Sequence, residues 1–204
     1  MIGHSSLVST ALGWTLGASI LTGCASPEPR YYTLEQVSAG RAAVEQCAAP
    51  ATGTGSRWIE VAPVAVPERL NRANLILNQR NGTFKLLEQD RWLAPLPDEL
   101  RDALSQRLQS SLGAVDIYQR NPSGVKPQYR VTAAVVSMDA ELGIRAGAII
   151  NWTVQRVSDG QLTAGRTQAE RPAPGELGSL VLAYQQIVTQ AAADIAMAVC
   201  ALKS

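Results

Sequence analysis

Histidine is all but missing from this chain: the single copy, His4, sits in the leader, and nothing downstream replaces it. A body without histidine excludes Ser-His-Asp and Cys-His relays and lacks the commonest zinc ligand. Lysine is scarce as well, limited to Lys85, Lys126 and Lys203, which leaves little material for a Ser-Lys dyad. No G-x-x-x-x-G-K phosphate loop occurs, so ATP is handled by another chain. Asp139 and Glu141, near Gly143, have no basic or metal-ligating companions in the sequence and read as solvated loop acids. Charged residues make up only 17% of the chain, and 18 basic side chains against 17 acidic ones give a formal net charge of +1. That near-neutrality gives no reason to expect nucleic acid or a polybasic membrane contact. No side chain is assigned a catalytic, cofactor-binding or metal-binding role.

What is present begins with the stretch from Ile20 to Pro29, ILTGCASPEP. Residues 1–23 contain no Asp, Glu, Lys or Arg, and the apolar core from Leu7 to Leu21 is too short for a permanent bilayer span. This is a secretory signal. Its end, Leu21-Thr22-Gly23-Cys24, is similar to a bacterial lipobox, with a branched apolar residue, two small residues and a thiol. Covalent diacylglycerol and an N-acyl chain on Cys24 are the only non-protein groups expected. Two or three chains anchor almost irreversibly, where one gives marginal binding. Ala25 follows the cysteine in place of the Asp that retains enterobacterial lipoproteins at the inner membrane, so the expected location is the outer membrane, facing the periplasm. Residues 24–29 form a tether and residues 30–204 one domain of ordinary size.

Beyond Cys24, two cysteines remain, Cys47 and Cys200. In an oxidising compartment such a pair reads as a disulfide. Leu177, Leu180, Val181, Tyr184, Ile187, Val188, Ala191, Ile195, Ala198, Val199 and Leu202 follow helical spacing. Cys200, sixteen positions after Tyr184, falls roughly 160° from that stripe at about 100° per residue. It needs separate cover, and the segment around Cys47 is the candidate. A bridge would close most of the domain and add about 4 kcal/mol. The competing reading keeps Cys200 as a small buried apolar residue.

Between the tether and the last helix the pattern predicts strands at Tyr31 to Gln36 and Arg57 to Val66, separated by an Ala, Gly, Ser and Thr-rich loop from Val37 to Ser56. Asn74 to Gln79 and Thr83 to Glu88 flank Asn81-Gly82, a hairpin signal. Pro97, Asp98 and Glu99 open a helix whose apolar face, Leu100, Ala103, Leu104, Leu108 and Leu112, stops at Gly113. A short strand follows at Val115 to Tyr118. Tyr129 to Met138 is apolar on both alternating faces and predicts a central strand covered on both sides. Ala148 to Val157 predicts a strand with one wet face, and Ser158-Asp159-Gly160 turns it into an edge strand from Leu162 to Arg171. The expected fold is a single α/β sandwich with a mixed, largely antiparallel sheet and two main helices.

Cys24 followed by Tyr31-Tyr32-Thr33-Leu34, then Val64-Ala65-Val66-Pro67-Glu68-Arg69-Leu70-Asn71-Arg72, then Arg91-Trp92-Leu93-Ala94-Pro95-Leu96 and a long terminal helix resembles, in order and spacing, the ABC-type transport auxiliary lipoproteins. The likeness spans essentially the whole mature chain. It implies a non-enzymatic outer-membrane lipoprotein working in a Pqi-like lipid-transport and membrane-integrity complex. The partners so implied are an inner-membrane transporter component and a periplasmic MCE-domain protein forming a lipid channel, whose far end such lipoproteins dock while assembling as homo-oligomeric rings. The uncharged start of the signal and the Cys47 and Cys200 pair depart from the family pattern and leave that role intact. The alternative is an outer-membrane lipoprotein that activates a peptidoglycan synthase.

Six residues are candidates for a partner interface: Arg69, Arg72, Arg91, Trp92, Pro95 and Leu96. Arginine and tryptophan are enriched at interface hot spots, and guanidinium groups suit phosphate or carboxylate recognition. The competing reading packs Trp92 over the following helix and leaves Arg69 and Arg72 to solvent. Tyr31 and Tyr32 either meet lipid headgroups near the anchor or bury in the sheet.

Overall fold

The computed structural model describes residues 27–35, 57–79, 81–118 and 124–202. The expectations for the signal, Cys24, Cys47 and the Val37 to Ser56 loop lie outside these residues. The strands are β1 (Arg30–Tyr32), β2 (Arg57–Val61), β3 (Asn74–Asn78), β4 (Phe84–Trp92), β5 (Ala114–Asp116), β6 (Tyr129–Glu141), β7 (Arg145–Arg156) and β8 (Leu162–Pro172). The helices are α1 (Leu96–Leu112) and α2 (Leu177–Leu202), with a 3₁₀ turn at Glu68–Leu70.

Local chemistry explains the boundaries that the pattern located well. At the β3–β4 hairpin Gly82 takes φ 79°, and the Asn81 carboxamide oxygen accepts the Thr83 backbone N–H at 3.1 Å. Pro95 precedes α1, Asp98 and Glu99 sit in its first turn, and Gly113 closes it in the left-handed region at φ 57°. β2 stops at Val61, earlier than expected, yet its line continues: Ala62 and Ala65 donate backbone N–H groups to Val131 and Ala133 at 2.9 and 3.0 Å. β1 is likewise shorter than the pattern predicts, because Thr33 and the residues after it turn into the body.

The strands form two sheets, ordered β1-β4-β3 and β5-β2-β6-β7-β8, in place of one. β1 runs parallel to β4, β2 runs parallel to β5 and β6, and the remaining pairs are antiparallel. α2 packs along β7 and β8, and α1 lies beside it over β2 and β5, so the helices cover one face of the larger sheet. By length and composition α2 is apolar enough to cross a membrane. Here its apolar stripe, Leu180, Tyr184, Ile187, Ala191 and Ile195, is the centre of the core. β6 is central, but it is covered on one face only. Val131, Ala133 and Val135 are buried, while Thr132 and Val136 on the opposite face are exposed among the described residues. The two-sided apolar pattern therefore misled: Val136 satisfies strand propensity without being buried, and Ala134 is small enough to sit half-buried at little cost.

α1 carries charge into the interior. Asp116 accepts Arg101 Nη2 and, at 2.7 Å, Ser105 Oγ on one oxygen, and the backbone N–H groups of Val61 and Tyr118 at 3.2 and 3.0 Å on the other. Arg101 also donates to the Val61 carbonyl at 3.3 Å and lies 5.0 Å over the Tyr118 ring. This network joins α1 to β2 and β5 with each carboxylate oxygen occupied.

At the outer strand a glycine is required by a neighbour. Gly165 on β8 stands opposite Trp152 on β7, and a Cβ there would come within 2.3 Å of the indole. The indole N–H donates to Thr167 Oγ1 at 3.1 Å, and that hydroxyl donates to Asp194 on α2 at 2.6 Å. Gly165→Val is expected to lower the unfolding free energy by about 1–3 kcal/mol through overpacking. The check is the midpoint of urea unfolding; an unchanged midpoint means the ring moves aside at no cost.

Candidate functional site

The tether delivers the chain into β1, and the structure fastens that entry at several points. Asp90, buried on β4, accepts Arg30 Nε at 2.7 Å and Nη2 at 3.1 Å, and the Tyr32 hydroxyl at 3.2 Å. The Asp90 carboxylate raises the pKa of Arg30, while burial pushes the Tyr32 phenol up. Thr33 and Leu34 then fold onto α1. Glu99, 5% exposed, accepts Thr33 Oγ1 at 2.9 Å and Leu34 N–H at 2.8 Å on one oxygen, and Ala94 N–H at 3.1 Å on the other. Leu34 itself is completely buried.

Arg107 holds the same segment from the opposite side. It donates to the Leu34 carbonyl at 3.0 Å, to Thr189 Oγ1 at 2.8 Å, and to the carbonyls of Ala103 and Gln185 at 2.8 and 3.3 Å. Burial pulls its guanidinium down to about 10, with Glu35 acting against the shift, so the group stays charged at neutral pH. Gln185 completes the strap by donating to the Thr33 carbonyl at 3.0 Å. The Tyr31-Tyr32-Thr33-Leu34 motif is thus a fastening: Tyr32 and Thr33 make polar contacts, Leu34 fills the core, and Tyr31 remains exposed. Glu99, Arg107 and Gln185 were not singled out from the sequence. A signal for Arg107 existed, since it falls on the apolar stripe seven residues after Leu100, where a solvated arginine is out of place.

The second feature is a groove of ≈ 260 Å³ between the β3–β4 hairpin and β6. Ile76 opposite Leu86, and Asn78 opposite Phe84, line one side as cross-strand pairs. Met138 and Ala140 of β6 line the other, and Arg69 and Arg72 stand at the rim. A more polar hollow of ≈ 350 Å³ adjoins it, sharing Asn78 and Ala140 and lined by Asp139, Glu141 and Arg145. The two acids, expected in a solvated loop without basic companions, stand instead on β6 at the border of this hollow, and Glu141 pairs with Arg145 at 3.4 Å.

The six interface candidates separate in space. Arg69 and Arg72 are exposed beside the 3₁₀ turn, which Pro67 opens and buried Leu70 holds down. Arg91 is half-buried on β4, donating to the Glu88 carbonyl at 3.1 Å, and Pro95 is exposed before α1. Trp92 and Leu96 need correction. β4 runs through Trp92, where a loop was expected, so the indole is 4% exposed and meets Tyr184 edge-on at 6.4 Å; Leu96 is 3% exposed. Both side chains belong to the core, and neither is available to a partner. Cys200 is disulfide-bonded and half-buried against the core; Cys47 lies outside the described residues.

No curated protein matches the chain. Among solved structures, a crystal structure of an uncharacterized protein covers 85% of this chain and 99% of its own length, at 20% identity and a TM-score of 0.66. Protein XCC0632 from Xanthomonas campestris, of family DUF330, covers 72% and 86% at 17% identity with a TM-score of 0.56. At these identities the likeness is one of fold. A sequence profile decides the family: that of the ABC-type transport auxiliary lipoprotein component matches residues 32–196, from the Tyr32 fastening through the core of α2. With Tyr32 to Leu34, all of α1 and most of α2 inside the match, this chain belongs to the ABC-type transport auxiliary lipoprotein family.

Proposed function

We propose that the chain is the lipid-anchored, non-enzymatic subunit of an MCE-type envelope lipid-transport complex, holding the periplasmic channel at the outer membrane. The observation that carries this reading is the strap: the segment following the expected acylation site is locked to the body through Asp90, Glu99, Arg107 and Gln185. A rigid body so fastened to its tether serves as a mooring, raising the effective concentration of a docking surface at one membrane. Cys24 carries the acyl chains, and Cys47 is the partner of disulfide-bonded Cys200. The chain works as a homo-oligomeric ring with an MCE-domain channel and an inner-membrane transporter component.

Crosslinking in intact cells followed by partner identification tests the reading. Capture of an MCE-domain protein is the expected result, lost together with membrane fractionation in Cys24→Ala. Capture of a peptidoglycan synthase in its place would sink it.

A further inference from the structure

The groove beside the hairpin combines an apolar lining with two cations that have nothing to bind. Phe84 is 57% exposed and Leu86 37% exposed, large side chains that a strand pair ordinarily covers. Every other described arginine donates to at least one acceptor. The guanidinium groups of Arg69 and Arg72 alone, among the described arginines, donate to none, although Glu68 is adjacent, and only the Arg72 backbone N–H is engaged, by the Leu70 carbonyl at 2.8 Å. Guanidinium groups match phosphate geometry with paired N–H donors. An anionic head joined to an apolar tail satisfies both halves of the groove, whereas free phosphate leaves Ile76, Phe84, Leu86 and Met138 uncovered.

The direction of the chain supplies the source. β1 is parallel to β4, with Arg30 opposite Asp90, so the chain enters β1 from the end at which β4 begins, at Phe84. Cys24 precedes Arg30 by six residues, a reach of about 20 Å. Phe84 precedes Asp90 by the same number of residues along a strand, again about 20 Å. A membrane anchor at Cys24 is therefore within reach of the hairpin end that bears the groove. At ≈ 260 Å³ the space lies just below the roughly 300–1,000 Å³ of clefts that enclose whole ligands, so it takes part of an amphiphile.

We propose that this groove binds a phospholipid of net negative charge from the membrane to which the chain is tethered, with its phosphate at Arg69 and Arg72 and one acyl chain along Phe84, Leu86 and Met138. The assignment rests on the reading of Cys24 as the lipid anchor, and it adds a ligand to a chain otherwise read as a mooring.

The test uses the full mature lipoprotein in detergent, titrated by native mass spectrometry with phosphatidylglycerol, phosphatidylcholine of the same chains, and inorganic phosphate. One phosphatidylglycerol per chain is expected, bound about tenfold more tightly than phosphatidylcholine, with about tenfold loss in Arg69→Gln/Arg72→Gln. Phe84→Ser should weaken it similarly, and Arg69→Lys/Arg72→Lys should retain the charge preference. Equal binding by the glutamine variant, or phosphate binding as well as the lipid, overturns the proposal. In cells, a photocrosslinker replacing Phe84 should capture a lipid; capture of a protein segment or a second copy of this chain overturns it. No partner protein is present in the titration, so its failure leaves the docking role standing, and failed docking leaves the groove standing.

Discussion

Asp116→Ala is expected to lower the unfolding free energy by about 3–5 kcal/mol, the largest single effect among the substitutions considered. Asp116 is 9% exposed, and its removal leaves Arg101, itself 7% exposed, with the Val61 carbonyl and the half-exposed Asp102 carboxylate as partners but without its buried counter-ion, and takes the acceptor from Ser105 Oγ and two backbone N–H groups. The loss comes mostly from the charge left behind. Replacing both partners, Arg101→Met with Asp116→Leu, should therefore recover much of the loss, because desolvating an ion pair offsets most of its attraction. Urea denaturation of the two single variants and the double variant completes the thermodynamic cycle. A double variant as unstable as the sum of the singles would mean that the two charges do not act as a pair.

Glu99→Ala should cost about 2–4 kcal/mol and should also act locally. Its carboxylate gathers donors from Thr33, Leu34 and Ala94, so the substitution leaves two backbone N–H groups without an acceptor where the leader meets α1. Hydrogen exchange at the Leu34 and Ala94 amides is expected to accelerate more than exchange in β6 and β7, which Glu99 does not touch. Uniform acceleration throughout the chain would show that Glu99 supports the whole fold and has no special part in the strap. Native protection at both amides would show that another acceptor replaces it.

The elements visible in the sequence were those whose signals are local. Asn81-Gly82 forces a turn through its own backbone preference, Pro97 and Gly113 bound α1 within a few residues, and the spacing from Leu177 to Leu202 repeats often enough to define α2. Long-range pairing was not visible in this way. Nothing near Trp92 says that it continues a strand beside β1, since that pairing depends on residues sixty positions earlier. The stretch around it reads as a loop because Pro95, and Pro97 two residues on, break any regular pattern just before the helix. The division into two sheets is equally nonlocal. In the candidate site, Arg69 and Arg72 could be named from the sequence as exposed cations, but the groove they border could not. Its other walls come from β3, β4 and β6, and only folding places Met138 beside Phe84 and Leu86. Glu99 was read as a helix-start acid, which it is; its second role as an acceptor for Leu34 depends on a contact across the fold.

The parallel run of β1 beside β4 governs how the body bears a mechanical load. Force arriving through the leader from the Phe84 end acts along the strand axis, so the three register positions from Arg30 to Tyr32 are strained in shear and share the pull. Thermal drag from a fluid bilayer therefore meets several bonds at once, and behind them the salt-bridged Asp90 and the packed side chain of Leu34.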